Sequence, residues 1–249
     1  MANASVLALS KLIRRVSGYR HPTRRVFADF VEMAACALSN RVDLLQYDAR
    51  EARYEAVRAG YGDEPELQAA FPEMLGHLVN ALATPSDVLG RVATELELLN
   101  EGCGQYFTPY ELCRLQARLI IGGADELRQI IDATGFVTVM EPAIGAGAMV
   151  IAFAEQLQEL GFEPRRHLHV SGVDIEAQAA HMAYVQLSLL DIPACVTIGN
   201  SLTLEVRSRW FTAAHVRGGW TRRLRDYAVT KTPAPAAPTE PKQLGLILV

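Results

Sequence analysis

The sequence predicts an α/β protein, with a partial, mostly parallel sheet of the doubly wound type and a helical N-terminal region. One observation is the uncharged, β-branched run from Val137 to Met140, which is followed by an acidic residue, a proline and two closely spaced glycines. A second is the alternation of helical and strand-like segments from Asp125 onward, which favours a parallel sheet. A third is that residues 1–84 show helical spacing and no alternation typical of strands.

Changes in composition divide the chain into segments. Residues 1–84 form the predicted helical region, whose strongly charged part, residues 41–61, is expected to be an exposed helix. The α/β domain is predicted at 85–203, and a basic and aromatic segment follows at 204–231. Residues 232–249 combine a tether rich in proline and alanine with an apolar end.

The net charge of −4 and the isoelectric point near 5.9 indicate no overall attraction to nucleic acid, so any such binding must come from local basic segments. The longest apolar runs are too short to cross a bilayer. We therefore expect a soluble, cytoplasmic protein without a signal peptide, a membrane segment or a metal site. The cysteines are far apart and lack Cys-x-x-Cys spacing, which favours free thiols; they are Cys36, Cys103, Cys113 and Cys195.

The stretch from Phe136 to Gly147 is the predicted centre of the fold. Its apolar run is expected to be a central strand that is covered on both faces, and Glu141 then places a carboxylate at the edge where open α/β sheets bind ligands. Gly145 and Gly147 lack a Cβ, so a ligand can approach the backbone there. The alternative is a tight strand-to-helix turn that binds nothing. A nicotinamide-binding glycine motif is disfavoured because Val150 occupies its third glycine position.

Two further strands are predicted to end at the same edge. The strand Leu168 to Val173 leads into Asp174, and the strand Cys195 to Ile198 leads into Gly199-Asn200-Ser201-Leu202. With helices at about 148–160 and 176–190, this order is that of half a Rossmann sheet. An acidic side chain after the second strand can accept hydrogen bonds from both hydroxyls of a ribose. The alternative role of Asp174 is to cap the helix that follows it.

Two helix starts are predicted from capping residues. Thr84 and Pro85 are expected to begin one helix, and Thr108 another, with Pro109 in its first position and Glu111 completing a capping box.

Five short motifs in this order resemble those of N6-adenine DNA methyltransferases, and most closely those of the modification subunit of type I restriction systems. The resemblance covers about residues 85–203. The motifs are Asp87-Val88-Leu89-Gly90, Gly104-Gln105-Tyr106-Phe107-Thr108-Pro109, Glu141-Pro142-Ala143-Ile144-Gly145-Ala146-Gly147, Gly172-Val173-Asp174 and Gly199-Asn200-Ser201-Leu202.

The resemblance implies that S-adenosylmethionine binds at the predicted sheet edge. Its methionine part would contact the Phe-Thr-Pro segment and the glycine loop, at Phe107, Thr108, Pro109, Glu141, Pro142, Ala143, Gly145 and Gly147. Asp174 would hold the ribose, and Ile175 would pack on the adenine. Leu202 and Asn200 would border the adenine ring, with Asn200 bonding its exocyclic amine.

The family's catalytic loop has no counterpart, so the catalytic residues are unknown. That loop is an Asn or Asp followed by two prolines and an aromatic residue, and this sequence contains no Pro-Pro pair. Three functions follow as alternatives. They are an adenine-specific DNA methyltransferase that depends on a specificity or catalytic partner subunit, a non-catalytic DNA-binding or decoy relative, and a small-molecule methyltransferase.

The segment after Leu202 mixes basic and aromatic residues, which suits phosphate contact and base stacking on DNA. The alternative is a segment whose aromatic side chains pack on the sheet. The candidates for DNA contact are Arg207, Arg209, Trp210, Arg217, Trp220, Arg222 and Arg223.

The apolar C-terminus, Gln243 to Val249, has two open interpretations. It could pair as a strand beside Val137 to Met140 and cover that edge. Alternatively, Gln243 to Ile247 resembles the short peptide that docks on the bacterial sliding clamp, with Ile247 in place of the usual Phe.

Overall fold

The structure is a computed structural model that describes residues 2–18, 21–62, 65–98 and 108–231. Phe107 and the C-terminal segment from 232 onward lie outside these residues, so the predictions made for them are not addressed. Within the described residues, no helix has the length and apolar character needed to span a membrane. Cys36, Cys113 and Cys195 are free thiols, as predicted for these three.

The N-terminal region is helical because apolar residues recur at three- and four-residue spacing and face a shared core. Leu9 and Ile13 of the first helix and Phe27 and Phe30 of the second are almost completely buried. The second helix packs on a helix of the α/β part, so the two regions share one core. The helices are α1 (Ala2–Ser17), α2 (Thr23–Ser39), α3 (Tyr47–Ala59), α4 (Pro65–Ala81) and α5 (Val88–Glu95).

In the described part of the chain, the sheet contains four strands in the order β1-β2-β3-β4, of which the first three are parallel and the last pairs antiparallel with β3. Helices alternate with the parallel strands, as predicted. The elements are α6 (Tyr110–Ile121), α7 (Ala124–Thr134), β1 (Val137–Glu141), α8 (Ala148–Glu159), α9 (Pro164–His167), β2 (Leu168–Asp174), α10 (Ala177–Leu189), β3 (Ala194–Asn200), β4 (Glu205–Phe211), α11 (Ala213–Arg217) and α12 (Trp220–Lys231).

The prediction that β1 is a central strand covered on both faces is wrong. β1 is an edge strand, with β2 as its single partner among the described residues, and Thr138 and Met140 are exposed. An apolar run identifies a strand, but it does not specify where in the sheet that strand lies.

Both predicted helix starts are also wrong in detail. α5 begins at Val88, and its cap is Asp87, whose side chain accepts a hydrogen bond from the Gly90 amide, so Thr84 lies outside the helix. α6 begins at Tyr110 with Pro109 as its N-cap residue and no side-chain cap bond, so the Thr108 capping box is not formed.

The predicted exposure of residues 41–61 holds for most of α3, with Arg50 as an exception. Its side chain is buried because Asp43 pairs with it at 2.8 Å and the carbonyl of Arg209 accepts a second bond at 2.8 Å. Its guanidinium also lies 4.1 Å from the ring centroid of Trp210. This contact joins the helical region to β4.

Candidate functional site

The carboxyl ends of the three parallel strands bring Glu141, Asp174 and Asn200 to one edge of the sheet. Glu141 ends β1, Asp174 ends the neighbouring β2, and Asn200 ends β3. In a parallel sheet this edge is where loops can form a ligand site. All three side chains are half-buried there.

The glycine loop between β1 and α8 depends on conformations that favour glycine. Gly145 has φ 56° and Gly147 has φ 92°, values that side chains rarely adopt. Gly147 is the N-cap residue of α8, and its amide bonds the carbonyl of Ile144 at 2.8 Å. The loop therefore brings backbone, rather than side chains, to the sheet edge.

Asp174 faces this loop. One carboxylate oxygen accepts a hydrogen bond from the Gly145 amide at 2.8 Å, and the other accepts one from the Glu176 amide at 2.9 Å. The second bond closes a turn just before α10, so the two predicted roles coexist in one side chain. Because each carboxylate oxygen has more than one acceptor direction, both retain capacity for further donors.

Asn200 serves as a turn residue. Its side-chain oxygen accepts bonds from the Leu202 amide at 2.9 Å and the Thr203 amide at 3.2 Å. That oxygen, which was predicted to meet the exocyclic amine of adenine, therefore already has two donors. The neighbouring side chains of Leu202 and Ile175 are 93% and 59% exposed, so two apolar surfaces flank the edge.

The remaining predicted contacts lie on both sides of the loop. Glu141 accepts a bond from the Ala143 amide at 3.2 Å, and both Pro142 and Ala143 are exposed. Thr108 and Pro109 are exposed at the start of α6, which packs on α8.

A small buried cluster explains why the start of α6 lies close to the glycine loop. Cys113 and Ala117 of α6 pack against Ala148 and Ala152, in the first turns of α8 after Gly147. The small side chains allow the two helices to approach closely. Thr108 and Pro109, just before α6, line a cavity with residues of α5 and its cap, including Asp87 and Gly90.

Gln186 and Asp87 form a buried support for the loop that sequence reasoning missed. The Gln186 amide nitrogen donates to Asp87 at 2.9 Å and to the carbonyl of Ala146 at 2.8 Å, and its oxygen accepts the amides of Val88 and Leu89. Burial raises the pKa of Asp87, while the bonds from Gln186 and Gly90 act in the opposite direction. The available signal was a glutamine among the buried, mostly apolar residues of α10.

Gly172 has a packing role. A Cβ at this position on β2 would lie 2.3 Å from the side chain of Ile144, so the glycine makes room for the buried residue of the loop. Packing therefore explains the glycine of the Gly172-Val173-Asp174 motif, and no ligand is needed to account for it.

The predicted DNA contacts do not form one surface. Arg207 lies at the carboxyl edge, where it donates to the carbonyl of Ile175, and Arg209 is exposed farther along β4. Trp210 and Trp220 are buried, so the prediction that they stack on bases is wrong, and the alternative, aromatic packing on the sheet, is observed.

The other predicted DNA contacts lie elsewhere. Arg217 and Arg223 line a cavity at the opposite edge of the sheet, and Arg222 is exposed on α12. Among the residues that the structure describes, no three metal-binding side chains come together. No described group has been identified as the catalytic one.

Comparison with solved structures gives one match, to a Listeria monocytogenes protein assigned to the class I S-adenosylmethionine-dependent methyltransferases. The identity is 16% and the TM-score is 0.43, and the match covers 78% of this chain. It spans 53% of the length of the Listeria protein. No curated protein sequence matches the chain.

Comparison with protein families gives a match to the family described as N-6 DNA methylase. It extends over residues 89–219, which is more than half of the chain. The match continues beyond residue 203, where the motif resemblance ends, and includes β4 and α11. The chain therefore belongs to the N-6 DNA methylase family.

Proposed function

We propose that this chain binds S-adenosylmethionine at the carboxyl edge of its sheet and takes part in the methylation of adenine N6 in DNA, with a partner polypeptide completing the catalytic site. The observation that carries the proposal is the contact between Asp174 and the Gly145 amide in a member of the N-6 DNA methylase family. When bound, the cofactor supplies a methyl group on a positively charged sulfur.

The residues at this edge fit such a ligand. Asp174 would accept bonds from the ribose hydroxyls through the lone pairs that its two backbone bonds leave available. The apolar side chains of Ile175 and Leu202 would cover the adenine ring, since both are exposed beside Asp174.

The methionine part would lie along the glycine loop, where Gly145 presents backbone without a Cβ; the Cβ position of the buried Gly147 instead faces Ala183 of α10, 3.5 Å away. Glu141 would supply a negative charge for the cationic ligand, and Thr108 and Pro109 would form part of the opposite wall. Asn200 would act through its amide NH₂, because its oxygen is already occupied by two backbone donors.

A partner is needed because the adenine that receives the methyl group has to be held in place by protein groups. An adenine amine must be held in line with the methyl group by hydrogen-bond acceptors and an aromatic wall after the base has left the duplex. This sequence lacks the Pro-Pro loop that does so in related enzymes. Among the described residues no strand pairs with the outer side of β1, next to the glycine loop, and a partner could add its own strand and loop there.

DNA would approach the same edge. Arg207 and Arg209 project from β4, which pairs with β3, the strand that ends in Asn200. Guanidinium groups at that position would contact backbone phosphates and position the duplex without reading its sequence.

A labelled-methyl transfer assay tests the proposed activity. The purified chain is incubated with DNA and labelled S-adenosylmethionine, with and without the protein encoded next to it, and N6-methyladenine is measured. We expect incorporation in the mixture and none with the chain alone. Incorporation by the chain alone would remove the need for a partner, and labelled 5-methylcytosine would contradict the proposed target atom.

A second candidate function is a non-catalytic DNA-binding relative, which the missing Pro-Pro loop favours. Cofactor binding without transfer in either arm of the assay would support it. A third is a small-molecule methyltransferase, for which transfer would occur without DNA and would be insensitive to salt.

The C-terminal peptide gives a further partner proposal, the bacterial sliding clamp. Removal of Gln243–Val249 would abolish clamp binding at unchanged thermal stability if the peptide docks there. A lower thermal stability after the same truncation would instead support pairing along β1.

A further inference from the structure

A cavity of about 540 Å³ lies at the amino edge of the sheet, opposite the proposed cofactor site. Gly135 precedes β1, the α9 residues precede β2, and α11 follows the antiparallel β4, so these segments meet at one edge. The cavity is lined mainly by basic side chains, namely Arg165, Arg166, His167, Arg217 and Arg223.

These basic side chains are only partly neutralised. Asp191 contacts two of the arginines, Arg217 at 2.6 Å and Arg165 at 3.4 Å. Arg166 and Arg223 form no ion pair with an acidic residue in the described part of the chain. Of the four arginines that line the cavity, two share one carboxylate and two have none, which leaves an excess of positive charge.

Arg223 is held in place without a counterion. It donates to the carbonyl of Arg166 at 3.0 Å, and its guanidinium lies 3.7 Å from the ring centroid of the buried Trp220. The aromatic contact and the fixed carbonyl orient the planar group and leave further N–H donors available. Burial and the nearby charge of Arg166 lower the pKa of Arg223, as expected where two cations lie together without an anion between them.

We propose that this cavity binds a phosphate group. Guanidinium groups present paired donors that match phosphate oxygens, and a phosphate can accept from several of them at once. A doubly charged phosphate or a diphosphate would also offset the excess charge better than a single carboxylate. β2 separates the cavity from Asp174 by seven residues, about 20 Å. The cavity is thus a site distinct from the one proposed for the cofactor.

The phosphate could come from the backbone of DNA or from a free phosphate-bearing molecule such as a nucleotide. Both present the same oxygens to the arginines. A contact with DNA would add one phosphate to the footprint, so that the dependence of affinity on salt would reflect it. A free ligand would have no such effect.

The test compares Arg166→Gln with Arg225→Gln. Both variants lose one positive charge, but Arg166 lines the cavity, whereas Arg225 lies on the exposed part of α12, outside it. Binding of inorganic pyrophosphate, and separately of a 20-base-pair duplex over a range of salt, is measured without S-adenosylmethionine. The result is therefore independent of the proposed methyl transfer.

We expect saturable pyrophosphate binding that weakens about 10-fold in Arg166→Gln and less than 2-fold in Arg225→Gln. If the slope of log affinity against log salt concentration for the duplex decreases in magnitude by about 1 in Arg166→Gln alone, the phosphate comes from DNA. If this slope is unchanged, the phosphate comes from a free ligand. Absence of pyrophosphate binding, or equal effects of the two variants on it, would overturn the proposal.

Discussion

The two ends of the sheet use polar side chains in different ways. At the carboxyl edge, Asp174 and Asn200 bond to the amides of loops and stay half-buried. At the amino edge, His169 and His215 are buried and bond to each other at 2.9 Å, and His215 continues to Thr221. Asp174 and Asn200 thus lie at a reachable site, whereas His169 and His215 are part of the core.

The two ends of the sheet also differ in their apolar side chains, which are exposed at the candidate ligand site and buried at the other end. Trp220 is buried between Phe136 and His169, whereas the apolar side chains of Ile175 and Leu202 are exposed at the carboxyl edge. Apolar groups that face solvent beside half-buried carboxylates are typical of a binding site. Those that pack against rings inside the fold contribute stability.

The largest expected effect is on stability at the amino edge. Trp220→Ala should lower the free energy of unfolding by about 3–5 kcal/mol, because it leaves a cavity among Phe136, His169 and Arg223. Leu202→Ala should change it by less than about 0.5 kcal/mol, since Leu202 is exposed. Urea denaturation measures both. Similar losses in the two variants would erase the distinction between the two edges.

A smaller effect is expected from pH. Burial lowers the pKa of His169 to about 3 and that of His215 to about 4, below the ordinary histidine value near 6.5. Above pH 6.5 the two histidines are neutral in both the folded and the unfolded chain, so their full contribution to the free energy of unfolding is present. Below it the unfolded chain binds protons that the folded chain does not, so stability falls as the pH decreases toward 4.

As the pH is lowered from 6.5 to 5.5, the free energy of unfolding should decrease by about 1 kcal/mol for each of these histidines. Urea denaturation over this range checks the slope. A stability that is constant over this range, or that rises on acidification, would show that His169 and His215 bind protons in the folded state.

The sequence was sufficient to predict that Asp174 and the glycine loop lie together at one edge of the sheet. Asp174 and the glycine loop follow adjacent parallel strands, and the carboxyl ends of such strands meet at one edge whatever the rest of the fold does. Their contact therefore follows from local patterns. The position of β1 as an outermost strand of the sheet does not follow from local patterns, because it depends on which strands lie beside it.

Contacts between segments that are far apart in the sequence explain the other differences between the predictions and the structure. Thr84 and Asp87 are both good helix caps, but Gln186 bonds the amides of Val88 and Leu89, next to Asp87, from almost a hundred residues away. The arginine cavity likewise joins the start of β2 to α11 and α12. No local spacing predicts such pairings, and composition alone cannot separate a buried tryptophan from one that stacks on a base.

The most direct test of the central claim is calorimetry of S-adenosylmethionine with Asp174→Asn and Asp132→Asn. Asparagine keeps one oxygen for the turn but loses the charge that would hold the ribose, whereas Asp132 is exposed on α7, away from the site. We predict that Asp174→Asn binds about 10- to 100-fold more weakly and that Asp132→Asn binds like the unaltered chain. Equal affinity in Asp174→Asn and the unaltered chain, or no binding by the unaltered chain, would contradict the account.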